Sequence, residues 1–249
     1  MKNLSLPIVA SLLLVTAGCS DATGPNAGQG RVDLSFAVTR SGAQAAAVET
    51  MTLGGNTLVI NRVQLVLREV ELKRARGTAD CSSSSGSGDS DDCEELEIGP
   101  FLLDLPLGGG IARAVTVQVD TGTFRELEFE IHKPEDDGRD REFLAQHPDF
   151  ARVSIRVDGT FNGTPFVFLS DLNVEQEIDL VPPLVVAEAA STNLTMSVDL
   201  GRWFLNAVRT TLVNPGSANK GGANEGLVKD NIKQSFEAFE DDDRDGRHD

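Results

Sequence analysis

The sequence contains no tyrosine, one tryptophan and three histidines among 249 residues. Sugar-binding proteins and glycosidases need aromatic platforms, so this scarcity disfavours both. The G-x-S-x-G nucleophile motif, the H-E-x-x-H zinc motif and the phosphate-binding G-x-x-x-x-G-K-[ST] loop are also missing. We therefore expect a protein that is not an enzyme. The remaining enzymatic alternative is a hydrolase whose catalytic residues lie far apart in the sequence.

Basic residues are scarce as well. Lysine and arginine number 22 against 39 aspartate and glutamate residues, which gives a formal net charge of −17. Such a chain is repelled by nucleic acid and by anionic lipid headgroups, so we expect no nucleic-acid partner. Divalent cations and cationic proteins are the partners that the charge favours. The alternative is that the charge serves only solubility.

The longest apolar run lies at the N-terminus. Residues 1–18 have the features of a secretory signal peptide: Lys2 is followed by an apolar run over residues 4–15 and then by small residues. The run is too short to cross a bilayer as a helix. We therefore expect an exported protein whose first residues are removed.

The residues that follow the apolar run are Thr16-Ala17-Gly18-Cys19, which resemble the bacterial lipobox. The resemblance implies cleavage before Cys19 and acylation of that cysteine, with Ser20 directing the lipoprotein to the outer membrane of a Gram-negative bacterium. The alternative is an ordinary signal peptide with a chance cysteine. Residues 19–30 lack large apolar side chains and form a flexible tether in this interpretation.

Only three cysteines are present, and Cys19 is assigned to lipid. Cys81 and Cys93 remain as a pair, which predicts a disulfide in an exported protein. The segment between them is rich in Ser, Gly and Asp, and closing a loop of this length stabilises the fold by about 3 kcal/mol in the chain-entropy model. The alternative is a metal site with two cysteine ligands.

Apolar and polar residues alternate in many short segments between residues 31 and 200, which is typical of β-strands. We predict a mainly β domain, an antiparallel Greek-key β-sandwich of about seven or eight strands. The alternation changes phase near Arg68 and Glu69, which indicates a β-bulge. Pro182-Pro183 should end one strand.

One strand has the most regular alternation in the chain. Its apolar residues Leu127, Phe129 and Ile131 should face the core. The intervening residues are polar, and we place them on the solvent face: Glu126, Glu128, Glu130 and His132.

Helical spacing is confined to residues 201–240. The segments 201–213 and 227–240 are predicted as helices, with a Gly- and Asn-rich loop at 215–226 between them. In the second helix, the apolar residues form one face that should pack on the sandwich: Val228, Ile232, Phe236 and Phe239. The alternative for this helix is a docking role toward a partner.

The last residues, 241–249, carry a D-x-D-x-D-G pattern that matches the first half of an EF-hand calcium loop. Carboxylates at alternate positions converge on one cation, and a glycine permits the sharp turn. The candidate ligands of Ca²⁺ are Asp241, Asp243, Asp245, Arg247 through its carbonyl, and Asp249. The twelfth position of the loop does not exist in this chain, and the alternative is a solvated acidic tail.

Transition metals have few candidate ligands. The histidines, His132, His147 and His248, are far apart in sequence, and Met51 and Met196 are the thioethers outside the signal peptide. No cluster of His and Cys at metal-binding spacing is present.

Four segments together resemble an uncharacterised family of bacterial surface lipoproteins: residues 58–72, 101–105, 115–119 and 122–127. The domain of that family is thought to be a prealbumin-like (carboxypeptidase-regulatory-like) β-sandwich, so the resemblance implies a sandwich over about residues 31–200 and no known activity. More weakly, the chain is similar to copper-binding lipoproteins associated with methanobactin. No histidine matches their pattern, so copper ligands are not carried over.

These observations lead to one expected function and one alternative. We expect a non-enzymatic lipoprotein of the cell envelope, a structural or ligand-binding module steadied by calcium, which contacts the membrane through its anchor and also an unknown envelope protein or surface ligand. The alternative is a periplasm-facing lipoprotein that binds copper or calcium.

Overall fold

The computed structural model describes residues 28–39, 48–74 and 99–247. These residues form two β-sheets that pack face to face, with two short α-helices outside them. The predicted mainly β sandwich is confirmed. No helix within the described ranges has the length and apolarity needed to cross a membrane.

The smaller sheet has four strands in the order β11-β10-β1-β5. Its members come from distant parts of the sequence, because the first strand pairs with two later ones. The pairing of β1 with β10 is parallel, and the pairs β1–β5 and β10–β11 are antiparallel. The bounds are β1 (Gln29–Val38), β5 (Ile111–Asp120), β10 (Ser191–Val198) and β11 (Phe236–Glu240).

The larger sheet has seven strands, of which five follow the order β8-β7-β3-β6-β9. The two others, β2 and β4, also pair with β3, and all these pairs are antiparallel. The bounds are β2 (Glu49–Leu53), β3 (Asn56–Arg74), β4 (Phe101–Asp104), β6 (Gly122–Ile131), β7 (Ile155–Phe161), β8 (Thr164–Ser170) and β9 (Val174–Val186).

The predicted β-bulge lies where the alternation changes phase. The register between β3 and β6 shifts between Arg68 and Glu71, and Glu69 has a φ of 51°. A bulge of this kind leaves one residue unpaired and turns the following side chains over. Val70 and Leu72 are buried as a result. Eleven strands are described in all, more than expected from the sequence, because β2, β4 and β11 are short additions.

The inner faces of the two sheets enclose one apolar core that includes Trp203 and Phe204, both 0% exposed. A second, smaller cluster lies on the outer face of the larger sheet. There Val66 of β3 contacts Phe143 and Phe150, which come from helix α1 (Asp140–Gln146) and the following turn. Strand β3 is therefore buried on both faces at this point.

The C-terminal segment is less helical than predicted. Residues 201–213 contain only the end of a 3-10 turn, Leu200–Arg202, and the second predicted helix is α2 (Glu225–Lys233) alone. Phe236 and Phe239 belong to strand β11 instead. The apolar spacing fits a helix, but the edge of β10 accepts five paired residues of this segment, which completes the smaller sheet.

The prediction that Pro182-Pro183 ends a strand is wrong. Strand β9 continues to Val186, with a cis peptide bond between Val181 and Pro182. Its register with β6 shifts between Phe124 and Glu126, so the prolines fall outside the paired positions. Strand β9 also ends the strand order of its sheet, where a residue without a backbone N–H is tolerated.

The opposite end of that order, strand β8, is capped by a side chain. Asn219 accepts a hydrogen bond from the Leu169 amide at 2.7 Å and donates to the Val167 carbonyl at 3.3 Å. Its amide group thus takes the place of a neighbouring strand.

We predict that Gly159→Ala destabilises the sandwich. A Cβ atom at Gly159 would lie 2.0 Å from the Val59 carbonyl oxygen on the neighbouring strand, and a backbone atom cannot move away cheaply. The expected loss is about 3 kcal/mol in the free energy of unfolding, measured by urea titration. Gly138→Ala is the control, because a Cβ there meets nothing within 4 Å. Equal stability of the two variants would contradict the packing described here.

Candidate functional site

The C-terminal loop is folded against the smaller sheet. Asp241 follows β11, and its amide donates to the Asn193 carbonyl of β10 at 3.0 Å. The Asn193 side chain donates back to the Asp241 carbonyl at 3.0 Å. Arg244 reaches Asp33 of β1, with 2.6 Å between Nη2 and Oδ2. The acidic segment, as far as residue 247, therefore covers the outer face of this sheet.

The Asp241 carboxylate is the centre of the loop. It is 0% exposed and accepts three hydrogen bonds, from the Asp245 amide at 2.9 Å, the Gly246 amide at 3.0 Å and the Thr195 hydroxyl at 2.7 Å. Gly246 has a φ of 78°, the turn that the sequence motif requires. Burial of a carboxylate is costly, and hydrogen bonds from amides and a hydroxyl offset only part of that cost.

The predicted calcium ligands are brought together in part. Asp241, Asp243 and Asp245 each offer a carboxylate oxygen, and these oxygens lie within 4.8 Å of one another. Asp243 and Asp245 are exposed, so an ion has access from solvent. Arg247 follows the glycine in the same loop. Oxygen ligands from alternate positions of one turn are what Ca²⁺ requires.

Several predicted residues lie outside the described ranges. These are the lipid anchor Cys19, the pair Cys81 and Cys93, His248, and the last candidate ligand Asp249. The lipid, the disulfide and the ninth loop position therefore stay predictions.

A second acidic feature, the carboxylate face, lies on the outer side of the larger sheet. Three glutamates of β6 stand opposite three acids of β9 in register, as the pairs Glu126–Asp179, Glu128–Glu177 and Glu130–Glu175. Like charges directly opposite each other destabilise a sheet. Two basic residues of β3 offset part of the repulsion, since Lys73 contacts Glu128 and Arg68 lies 2.7 Å from Glu130.

The polar row of β6 lies on the outer face as predicted, but the prediction that solvent covers it is wrong for Glu128, Glu130 and His132, whereas Glu126 is half-buried. Glu128 and Glu130 are each 8% exposed and His132 is 5% exposed, because side chains of β3, β9 and helix α1 cover them. The sequence showed the alternating row on β6. It did not show that the row Glu175, Glu177 and Asp179 of β9 faces it, because strand pairing is not written in either segment alone.

Burial and crowding change the acidity of this face. The hydrogen bond with Glu128 and the charge of that carboxylate raise the pKa of Glu175 to about 7. Burial opposes ionisation of Glu128, but the hydrogen bonds from Glu175 and Lys73 outweigh it and lower the pKa of Glu128. The two carboxyl groups therefore share one proton near neutral pH. Glu126, Glu128 and Glu177 also bring oxygens within 4.8 Å of one another.

A cleft lies beside helix α1. One part, about 460 Å³, is lined by residues of β4 and by Arg139, Glu142 and His147. A smaller part of about 210 Å³ continues past His147 to Arg62 and Arg156. Both arginines are bound to the same carboxylate, Asp158. The charges of these two arginines are thus partly offset, and the His147 ring contacts Phe143 with 4.8 Å between ring centroids.

Comparison with known proteins gives no family and no function for this chain. No family model and no curated protein matches the chain. One similar solved structure is MbnP from Methylosinus trichosporium, with 12% identity and a TM-score of 0.36 over 72% of this chain and 78% of that chain. The prealbumin-like family is not confirmed. At this similarity the MbnP structure carries no argument about this chain, and no residue role is transferred.

We predict that the carboxylate face makes stability fall as pH rises. Between its ordinary pKa of 4.5 and the folded-state value of about 7, Glu175 is protonated in the folded protein and ionised in the unfolded chain. Its stabilising contribution is full below pH 4.5 and lost by about pH 8. Glu175→Gln should flatten this part of a urea-unfolding profile, whereas Glu237→Gln, an exposed position on β11, should not. Identical slopes in the three proteins would refute the shared proton.

Proposed function

We propose that this protein is a non-enzymatic lipoprotein of the cell envelope, a binding or structural module whose sandwich is steadied by calcium in the C-terminal loop. The observation that carries the proposal is the Asp241 carboxylate, fully buried and held by two loop amides and Thr195. An ion at this position supplies the positive charge that amides and a hydroxyl cannot supply.

The loop chemistry favours calcium over other ions. Its candidate ligands are carboxylate oxygens and a backbone carbonyl, which suit a hard cation of flexible coordination. Asp243 and Asp245 are exposed, so water has access to complete the coordination sphere. Because two of its three carboxylates are exposed, the loop should bind weakly, with a dissociation constant of about 10⁻⁴ to 10⁻³ M, as in extracellular modules.

Calcium in this loop would act on the whole smaller sheet. The loop follows β11, bonds to Asn193 and Thr195 of β10, and reaches Asp33 of β1. An ion in the loop would therefore be linked, through the loop, to three of the four strands of this sheet. In this proposal the ion is structural, and the unknown envelope partner or surface ligand binds elsewhere on the domain.

The lipid anchor places the domain at a membrane. Acylation of Cys19 followed by the tether 19–30 holds the sandwich near the outer membrane without a spanning helix. The alternative function is binding of copper or calcium as cargo by a periplasm-facing protein. Metal analysis of the purified protein separates the two, since stoichiometric copper favours the alternative.

We predict saturable calcium binding by the mature protein in calorimetry, lost in Asp243→Asn/Asp245→Asn. At ten times the dissociation constant, calcium should stabilise the fold by about 1.4 kcal/mol and raise the melting temperature by about 3 °C. Asp230→Asn/Glu237→Gln removes the same charge outside the loop and should bind like the natural protein. Absence of binding, or equal binding by both double variants, would remove calcium from the proposal.

We also predict that Cys19→Ser abolishes fatty-acid labelling and moves the protein from the membrane fraction to the soluble envelope fraction. The reason is that no other segment of this chain is proposed to hold it at the membrane. Cys81→Ser should keep both the label and the location. A Cys19→Ser protein that stays in the membrane fraction would contradict the lipid anchor.

A further inference from the structure

The outer face of strand β6 ends in a buried histidine. The row Glu126, Glu128, Glu130 and His132 occupies alternate positions, so all four side chains point to the same side of the sheet. His132 lies just beyond the strand, and its amide donates to the Val66 carbonyl of β3 at 2.9 Å. The imidazole is therefore fixed at the end of the carboxylate face.

One nitrogen of this ring is committed to a carboxylate. His132 Nε2 lies 2.8 and 2.9 Å from the two oxygens of Asp140, a residue 0% exposed at the start of helix α1. Asp140 is itself held by the Glu135 amide at 2.8 Å. Because an ionised carboxylate only accepts hydrogen bonds, Nε2 carries the proton and donates it. In the neutral ring, Nδ1 then has a free lone pair.

The other nitrogen has no hydrogen bond. His132 Nδ1 is buried and unpaired, and it faces Glu130 Oε1 at 3.6 Å. This distance is too long for a hydrogen bond. It is compatible with two ligands of one ion, because metal–ligand bonds of about 2.1 Å at an angle of roughly 120° span it.

The carboxylate on the other side is held in place. Glu130 Oε2 accepts from Arg68 Nε at 2.9 Å, and Oε1 accepts from Asn173 Nδ2 at 2.9 Å. Each ligand of the pair is thus oriented by a further residue, His132 by Asp140 and Glu130 by Arg68 and Asn173. A histidine whose second nitrogen donates to a carboxylate is the usual arrangement around a protein-bound metal.

We propose that His132 Nδ1 and Glu130 Oε1 bind a divalent transition-metal ion of the zinc class at the end of the carboxylate face. Imidazole together with carboxylate suits such an ion, whereas calcium prefers oxygen ligands only. Glu175, exposed on β9 and in register with Glu130, bonds to Glu128 in the unbound protein and would have to turn toward the ion to become a third ligand beside water. The site goes beyond the proposed function and lies on the other sheet from the calcium loop.

The same geometry has one competing explanation. A proton on Nδ1 would make His132 an imidazolium between the carboxylates of Asp140 and Glu130, with no metal. The two explanations differ in the state of Nδ1, which nitrogen-15 NMR of the imidazole ring reports directly in the unmodified protein.

The test is titration of the mature protein with zinc chloride in excess calcium chloride, followed by calorimetry. We expect one zinc ion per chain, with affinity reduced at least 10-fold in His132→Gln and in Glu130→Gln. His147→Gln, at the only other described histidine, and the loop variant Asp243→Asn/Asp245→Asn should bind zinc like the natural protein. That outcome separates this site from the proposed calcium loop.

A second measurement is independent of whether the variants fold. In the natural protein, the nitrogen-15 resonance of His132 Nδ1 should shift on addition of zinc. A protonated Nδ1 that zinc leaves unchanged would overturn the proposal, and so would equal zinc affinity in the natural protein and in folded His132→Gln.

Discussion

Strand β3 carries the larger sheet, because β2, β4, β6 and β7 all pair with it along its 19 residues. A strand this long cannot keep one flat register with four partners. The bulge at Arg68 and Glu69 shifts the register between β3 and β6. After the bulge, the side chains of β3 alternate in the opposite phase, while the pairing with β6 continues. The row of acids on β6 and the basic residues that offset it, Arg68 and Lys73, owe their facing positions to that bulge.

Both sheets are covered in part on their outer faces, and a candidate metal site lies at each cover. On the larger sheet the cover is helix α1, held by Phe143 against Val66 and by Asp140 against His132. On the smaller sheet it is the C-terminal loop, with Asp241 bonded to Thr195. In each case an aspartate that is 0% exposed joins the cover to the sheet. Buried carboxylates require partners, so both sites are places where a cation has a physical reason to bind.

Local patterns in the sequence predicted most of the strands, but they did not predict which strands pair with one another. Alternation predicted most strands and the bulge, and the D-x-D-x-D-G motif predicted the glycine turn of the C-terminal loop, because these features depend on local periodicity and on backbone conformation. It failed for Phe236 and Phe239, whose spacing fits a helix but whose backbone pairs with β10. It failed again for Glu128, Glu130 and His132, since burial there comes from β9 and helix α1. Long-range pairing decides these positions, and a single sequence does not encode it in any local pattern.

The parallel pairing of β1 with β10 has a consequence for the order in which the protein is made. Arg31 of β1 pairs with Ser191 of β10. About two thirds of the chain must therefore be synthesised after β1 before its parallel partner β10 is available. Strand β11 and the loop after it come later still. Contacts of such long sequence separation form slowly. The growing chain therefore cannot complete its smaller sheet until β10 and β11 have been made, although β1 and β5 are available to each other earlier.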